Sequence, residues 1–467
     1  MSEDLTMMSA TELVASYRKK RVSPVAVIRS VLDRIQAYND ALNAFCLVDE
    51  EYAMASAKAA EDRWEKGKPI GLVDGVPTTI KDTYLVKGWP ARRGSLTSPD
   101  DPCEEDAAAP ARLREHGAVL IGKTTTPEFG WKAVTDSRLT GITRNPWNTE
   151  RTPGGSSGGA CVAAATGMGA LHLGGDGAGS IRIPAAFCGV YGFKANYGRV
   201  PVYPQLAPGT LTHLGPATRT VTDAALMLTV IAEPDTRDWL ALPYEKRDYR
   251  MGLEEGVRDL HIGFSKNFGY ADVDPEIADL AVKATAVFED LGAVVEEADP
   301  GFQNPRHAFD VYYYSLFTYM LEGMSDQERN LLDPGLVEIA EEGKRFGVRD
   351  LMDAEMTRAA IARQMDRFHQ TYDLLISPQV PLAAFEAGVE FPRDSGMQRW
   401  LDWSPFTYPF NFTGQPTATV PCGFNHEGLP IAIQIVGPRF AEHIVLRASR
   451  AYESVHPFIM PPLPNAT

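Results

Sequence analysis

The sequence predicts a single large α/β domain in which helices cover a β-sheet. Three observations carry that expectation. Short apolar runs bounded by turn residues alternate with helical patterns along most of the chain. The 467 residues suffice for one large core, and no stretch reads as a linker. Hydrophobic residues at 44% and charged residues at 23% are ordinary for a globular protein, which excludes disorder as the main state.

The first seventy residues read as helices. Ser9-x-x-Glu12 has capping-box spacing, and Ser23 before Pro24 fits an N-cap followed by proline at the first helical position. Val27, Ile28, Val31, Leu32 and Ile35 recur at helical spacing and form one apolar stripe. From about residue 70 the texture changes. Residues 76–80, between Gly75 and Asp82, predict a buried strand. Residues 106–116 predict a helix ended by Gly117, and 118–121 a second buried strand. Later strands are expected at 260–264, 293–295, 374–376, 417–420 and 431–436, with helices at 276–291 and 441–453. The segment from about 235 to 405 is the least patterned and is expected to form a cap. The Gly/Ser/Ala-rich stretch 154–179 lies among strands and helices, so it is not a flexible linker.

Charge and cysteine content narrow the function classes. Lys plus Arg number 45 against 61 Asp plus Glu, a formal charge of −16. Nothing supplies the broad basic face that nucleic acid would need. No apolar run is long enough to cross a bilayer, so no membrane partner is expected. The acidic start lacks the basic and apolar blocks of a secretory signal, and five cysteines show no C-x-x-C spacing. A cytoplasmic location is expected.

Three loops carry chemistry. In Gly75-Val-Pro-Thr-Thr-Ile-Lys81-Asp82, a lysine directly follows the apolar run. It reads either as a surface lysine at a strand end or as a desolvated, neutral general base. In Thr152-Pro-Gly-Gly-Ser156-Ser157-Gly-Gly159, four glycines surround two serines, as in a glycine-rich turn or a close-approach loop. In Gly174-Gly-Asp-Gly-Ala-Gly179-Ser180-Ile-Arg182, small residues precede a serine and can aim several backbone N–H groups at one point. The P-loop and dinucleotide-binding spacings are absent. Gly154-x-Ser156-x-Gly158 matches a nucleophile elbow, but the polar residues 144–153 hold two prolines and cannot be the central strand that an elbow must follow. The histidines are scattered, no H-E-x-x-H occurs, and neither a metal nor any other cofactor is expected. His116, His172 and His213 lie near the loops and read as structural.

Together the three loops resemble the amidase signature family. Further segments match it: Lys123-Thr-Thr-Thr-Pro-Glu-Phe-Gly130, Thr143-Arg-Asn-Pro-Trp147, Gly189-Val-Tyr-Gly-Phe-Lys194, Phe406-Thr-Tyr-Pro-Phe-Asn411 and Gly428-Leu-Pro with Gln434 and Gly437. The resemblance implies one domain over 1–467: a helical segment at 1–70, a signature core at 71–205 and the 235–405 segment. Its fold would be α/β/α with a mixed central sheet, and its activity metal-independent hydrolysis of an amide bond. It implies Ser180 as nucleophile, Ser156 as relay on a cis peptide, and Lys81 as terminal base. The backbone N–H groups of Gly177, Ala178, Gly179 and Ser180 would form the oxyanion hole. Asp176 and Arg182 would hold the loop, while Cys161 and Cys188 would only pack.

Two positions depart from the family pattern: Gly175 lacks the usual hydroxyl and Ala178 replaces a glycine. Ile183 also stands where glutaminase subunits of tRNA-dependent amidotransferases typically carry glutamine, which argues against that alternative. A catalytically silent scaffold is the other alternative, opposed by intact Lys81, Ser156 and Ser180. An aromatic set is expected to line an acyl or aryl pocket: Phe129, Tyr313, Tyr314, Phe317 and Trp403, with Phe309, Tyr312, Tyr319, Trp400 and Phe406 nearby. The expected partner is a small-molecule amide, such as an arylamide, carbamate or cyclic amide. A homodimer is compatible with this reading.

Overall fold

Apolar runs punctuated by glycine and proline form thirteen short strands in a computed structural model, which describes residues 4–205 and 209–463. In chain order they are β1 (Phe45–Val48), β2 (Pro77–Lys81), β3 (Val119–Thr124), β4 (Asp136–Ser137), β5 (Gly141–Ile142), β6 (Leu171–Asp176), β7 (Tyr191–Lys194), β8 (His213–Thr218), β9 (His261–Phe264), β10 (Val294–Glu297), β11 (Leu374–Pro378), β12 (Thr417–Phe424) and β13 (Pro430–Val436). Eleven of them form one sheet in the order β1-β3-β2-β6-β8-β7-β12-β13-β11-β9-β10, and β4 pairs with β5 apart from it.

The sheet is mixed. β2 runs parallel to both β3 and β6, and β9 runs parallel to β10 and β11. Between these groups β8, β7, β12 and β13 pair antiparallel. Every residue of β2, β3 and β6 is buried, as expected where helices cover both faces of a parallel group. The helix Gly158–Thr166, buried along its whole length, packs beside them. The expected strands at 76–80, 118–121, 260–264, 293–295, 374–376, 417–420 and 431–436 all form, with ends within four residues of those predicted.

Two expectations need correction. The first seventy residues are not all helical, because Phe45–Val48 adds an antiparallel edge strand to β3. The 235–405 segment is not simply a cap. It contributes β9, β10 and β11 to the sheet, and its helices Arg306–Met320, Pro334–Gly343 and Val348–Phe368 build an aromatic-rich second core.

The N-terminal helix Ala10–Arg18 begins with the expected capping box at Ser9 and Glu12. A second cap comes from far along the chain. Asp223, in the helix Val221–Ile231, accepts from the N–H groups of Ala10 (2.8 Å) and Thr11 (3.0 Å). A carboxylate at a helix N-terminus satisfies donors that have no partner within the helix. Replacing Asp223 with Ala should lower stability by about 1–2 kcal/mol. Urea titration would measure that loss, and hydrogen exchange should show faster exchange concentrated in residues 10–18.

Candidate active site

Lys81 ends β2, and the strand carries its side chain into the interior. Its Nζ donates to Ser156 Oγ at 2.6 Å and to Ser157 Oγ at 3.1 Å. No carboxylate forms an ion pair with it among the described residues. Burial therefore draws its pKa down from 10.5 to about 7, against the opposing pull of Asp176 and Cys161. An amine in this state can accept a proton at neutral pH.

Ser156 precedes the helix Gly158–Thr166, and the Gly155–Ser156 peptide is cis. Ser157 is a partner the sequence did not single out. Its hydroxyl accepts from Lys81 and from the Gly175 N–H (3.2 Å), and lies 3.1 Å from the Gly175 carbonyl. The lysine is thus tied to the end of β6.

Ser180 follows the turn after β6 and opens on the same cavity as Lys81 and Ser156. Its hydroxyl has no hydrogen-bond partner among the described residues. The turn hangs on Asp176, which accepts from the Gly179 N–H (2.7 Å) and the Ile181 N–H (3.2 Å). Arg182 donates two further bonds to that carboxylate, 2.9 Å from Nε and 3.0 Å from Nη2. The guanidinium also reaches Asn411, Gln434 and the Thr407 carbonyl. Burial alone would raise the Asp176 pKa, but the adjoining Arg182 holds it well below the ordinary carboxylate range.

This geometry changes the expected set of oxyanion donors. The Gly179 N–H already belongs to Asp176 and is not free. The N–H groups of Gly177, Ala178 and Ser180 have no partner among the described residues. Gly179 has φ 123°, where a side chain would be strained, whereas Ala178 lies outside the left-handed region and tolerates its Cβ. The other departure also has a physical cause. A Cβ at Gly175 would collide with the Tyr84 hydroxyl, so Tyr84 occupies the space of the missing side chain.

The cavity measures about 360 Å³. Phe129, Tyr313 and Phe317, of the predicted aromatic set, line it. Tyr313, Leu316, Phe317 and Met320 recur at helical spacing, so one face of Arg306–Met320 forms the apolar wall. Tyr314 and Trp403 do not line it. Tyr314, one residue beyond Tyr313, turns to a groove with Arg306, Asp310 and Glu338. Trp403 is fully buried, stacks on Phe187 at 5.9 Å and donates its indole N–H to the Glu390 carbonyl. Thr83, Tyr84, Arg93, Gln205 and Thr212 also line the cavity, and no motif pointed to them. A wider groove of about 880 Å³ lies beside Arg358 and Phe440, and Lys81, Ser156 and Ser180 do not border it.

His172 and His213 are buried, the first against Thr79 and the second on the Leu211 carbonyl, and His116 lies beside Glu233. Cys161 and Cys188 are buried, and burial pushes both thiols up. Among the described residues no group of three or more His, Cys, Asp or Glu side chains could hold a metal ion.

A buried serine–lysine cluster facing backbone donors, on a mixed sheet flanked by helices, defines an amidohydrolase class. The family model described as Amidase matches residues 26–446, and the chain belongs to the amidase signature family. It is 36% identical to an acylamidase of Rhodococcus erythropolis, over 98% of this chain and 97% of the relative. It is 35% identical to a glutamyl-tRNA(Gln) amidotransferase subunit of Gloeobacter violaceus, over 96% of each. A crystal structure of a bacterial aryl acylamidase superposes with a TM-score of 0.90 at 32% identity, covering 96% of each chain. The protein is an amidohydrolase, and no helix among its described residues is long and apolar enough to cross a membrane.

Asp176→Asn should lower stability by about 3–5 kcal/mol, because Arg182 stays buried without its counter-charge. The wild-type carboxyl is held below its unfolded pKa. Its contribution is therefore present at neutral pH and lost only as pH falls through the folded value. Urea midpoints of both proteins at pH 7 would measure the difference.

Proposed function

We propose that this chain hydrolyses carboxylic amides through an acyl-enzyme on Ser180, with Ser156 as relay and Lys81 as terminal base. The observation that carries the reading is the 2.6 Å contact between Lys81, whose pKa burial lowers to about 7, and Ser156, inside the cavity that also holds Ser180. A serine hydroxyl is a weak nucleophile without a base. Lys81 takes the proton of Ser156 as Ser156 takes that of Ser180, and the Ser180 oxygen attacks the amide carbonyl. Negative charge develops on the carbonyl oxygen, where the N–H groups of Gly177, Ala178 and Ser180 receive it. Each such donor contributes about 3 kcal/mol to catalysis. The proton returns through Ser156 to the departing nitrogen, the C–N bond breaks, and the amine leaves. Water, deprotonated by the same chain, attacks the ester, and Ser180 recovers its proton as the acid leaves.

The wall of Phe129, Tyr313, Leu316, Phe317 and Met320 favours substrates with an alkyl or aryl portion over a free amino acid. Similarity to an acylamidase and an aryl acylamidase supports acyl- and arylamides as the class. The five cysteines are all free thiols, which supports a cytoplasmic site of action.

Glutaminase work within a tRNA-dependent amidotransferase is the second reading, favoured by the likeness to the Gloeobacter violaceus protein. Ile183 weighs against it. Its side chain is fully buried and lies close to the Gly154 and Gly179 backbone, so it offers no polar group to a substrate. Release of amine from an anilide, a carbamate, an aliphatic amide and glutamine would separate the readings. Anilides should turn over fastest; a glutamine preference, with tRNA amidation in the presence of partner subunits, would overturn the choice.

Ser180→Ala should abolish amine release and fluorophosphonate labelling while leaving the melting temperature within a few degrees. Retained turnover would remove Ser180 from its role, and absence of labelling in the wild type would favour the silent scaffold. For the wild type, kcat/KM should rise with pH through a midpoint near 7, because only the deprotonated Lys81 accepts a proton. Lys81→Ala should lose about a thousandfold or more and with it this rising limb.

A further inference from the structure

Charge around the cavity is unevenly compensated. The Asp176 carboxylate is taken up by Arg182, and burial draws the Lys81 pKa down to about 7, so a substantial share of it is uncharged at neutral pH. Arg93 is different. It lines the same cavity, has no ion pair or side-chain hydrogen bond among the described residues, and its Nε is buried without a partner. Its neighbour Arg92 shows the usual outcome, pairing with Asp100 at 2.9 Å. In a chain with more acids than bases, an unpaired arginine beside reactive groups calls for a physical reason.

The backbone holds Arg93 in place. It adopts φ 54°, a left-handed conformation that side chains other than those of Asn and Asp rarely accept. Phe129 does the same at φ 51°, and its N–H donates to the Arg93 carbonyl at 2.8 Å. Two left-handed residues thus brace each other, and both line the cavity. Such backbone persists only where the surroundings over-determine it, and it concentrates at ligand-binding positions. Thr83 adds a second unsatisfied group on the cavity wall, since its Oγ1 is buried without a partner.

We propose that Arg93, assisted by the Thr83 hydroxyl, binds a carboxylate carried by the substrate. The preferred amide then has an alkyl or aryl part against the Tyr313–Met320 wall and one carboxylate removed from the scissile bond. A guanidinium matches a carboxylate with two parallel N–H bonds, and a partly desolvated site strengthens them. This deepens the amidase reading and rests on it for the identity of the cavity.

The test uses binding, so that it does not depend on turnover. Ser180→Ala protein would be titrated calorimetrically with the three N-acetyl-aminobenzoates and with succinanilate and glutaranilate, each against its methyl ester. At least one acid should bind about tenfold or more tighter than its ester. Adding Arg93→Met should abolish that preference while changing the ester's Kd less than about threefold; Arg93→Lys should keep part of it. Equal binding of acid and ester in every pair, no binding of any acid, or a preference that survives Arg93→Met would overturn the subsite. The acid–ester comparison in Ser180→Ala decides even if the Arg93 variants fold poorly. Continued amine release by Ser180→Ala would count against the catalytic reading instead.

Discussion

The site depends on one buried ion pair. Asp176 and Arg182 are both fully buried and bonded through two parallel contacts. The pair stands six residues apart in sequence but reaches much further in space. Arg182 grips Asn411 and Gln434, and Asn411 returns a bond to Asp176. The turn after β6 is thereby tied to the helix Pro409–Thr413 and to β13. Two charges taken out of water are tolerated only when every lone pair and proton finds a partner. Here that requirement shapes the loop. Asp176 uses the Gly179 and Ile181 N–H groups and leaves those of Gly177, Ala178 and Ser180 without a partner among the described residues.

Lys81 represents the opposite solution to the same problem. A lysine could enter the core with a carboxylate, as Lys123 does with Asp82. Lys81 enters with two hydroxyls and no ion-pair partner, and burial draws its pKa down to about 7. One network stabilises charge and the other suppresses it, at the end of neighbouring parallel strands β2 and β6. That proximity is a property of the sheet, because a parallel group brings its strand ends to one side.

Much of the fold was legible because β2, β3, β9, β11 and β13 are apolar runs with clear turn residues at their ends. The unexpected strands share a weakness of local signal. β6 ends in Gly174, Gly175 and Asp176, and β8 contains Gly215 and Pro216, which argue against strand on local grounds. Within β8, only Ala217 and Thr218 pair with β7, so Pro216 falls beyond that ladder. β1 was hidden among helices because four residues on a sheet edge carry almost no periodicity. Among the aromatic residues, a one-residue offset on a helix separates Tyr313 in the cavity from Tyr314 outside it. Pattern alone could not orient that face.

The sequence by itself determined the chemistry on offer: a lysine closing an apolar strand, two serine loops freed by glycine, and the α/β alternation that would carry them. Each of these is a local pattern, readable within a few residues. Tertiary structure alone decided which groups are usable. It lowered the pKa of Lys81 through burial, tied the Gly179 amide to Asp176, filled the space beside Gly175 with Tyr84, and left Arg93 without an acid. These outcomes depend on distances and dielectric between residues far apart in the chain, and no local pattern encodes them.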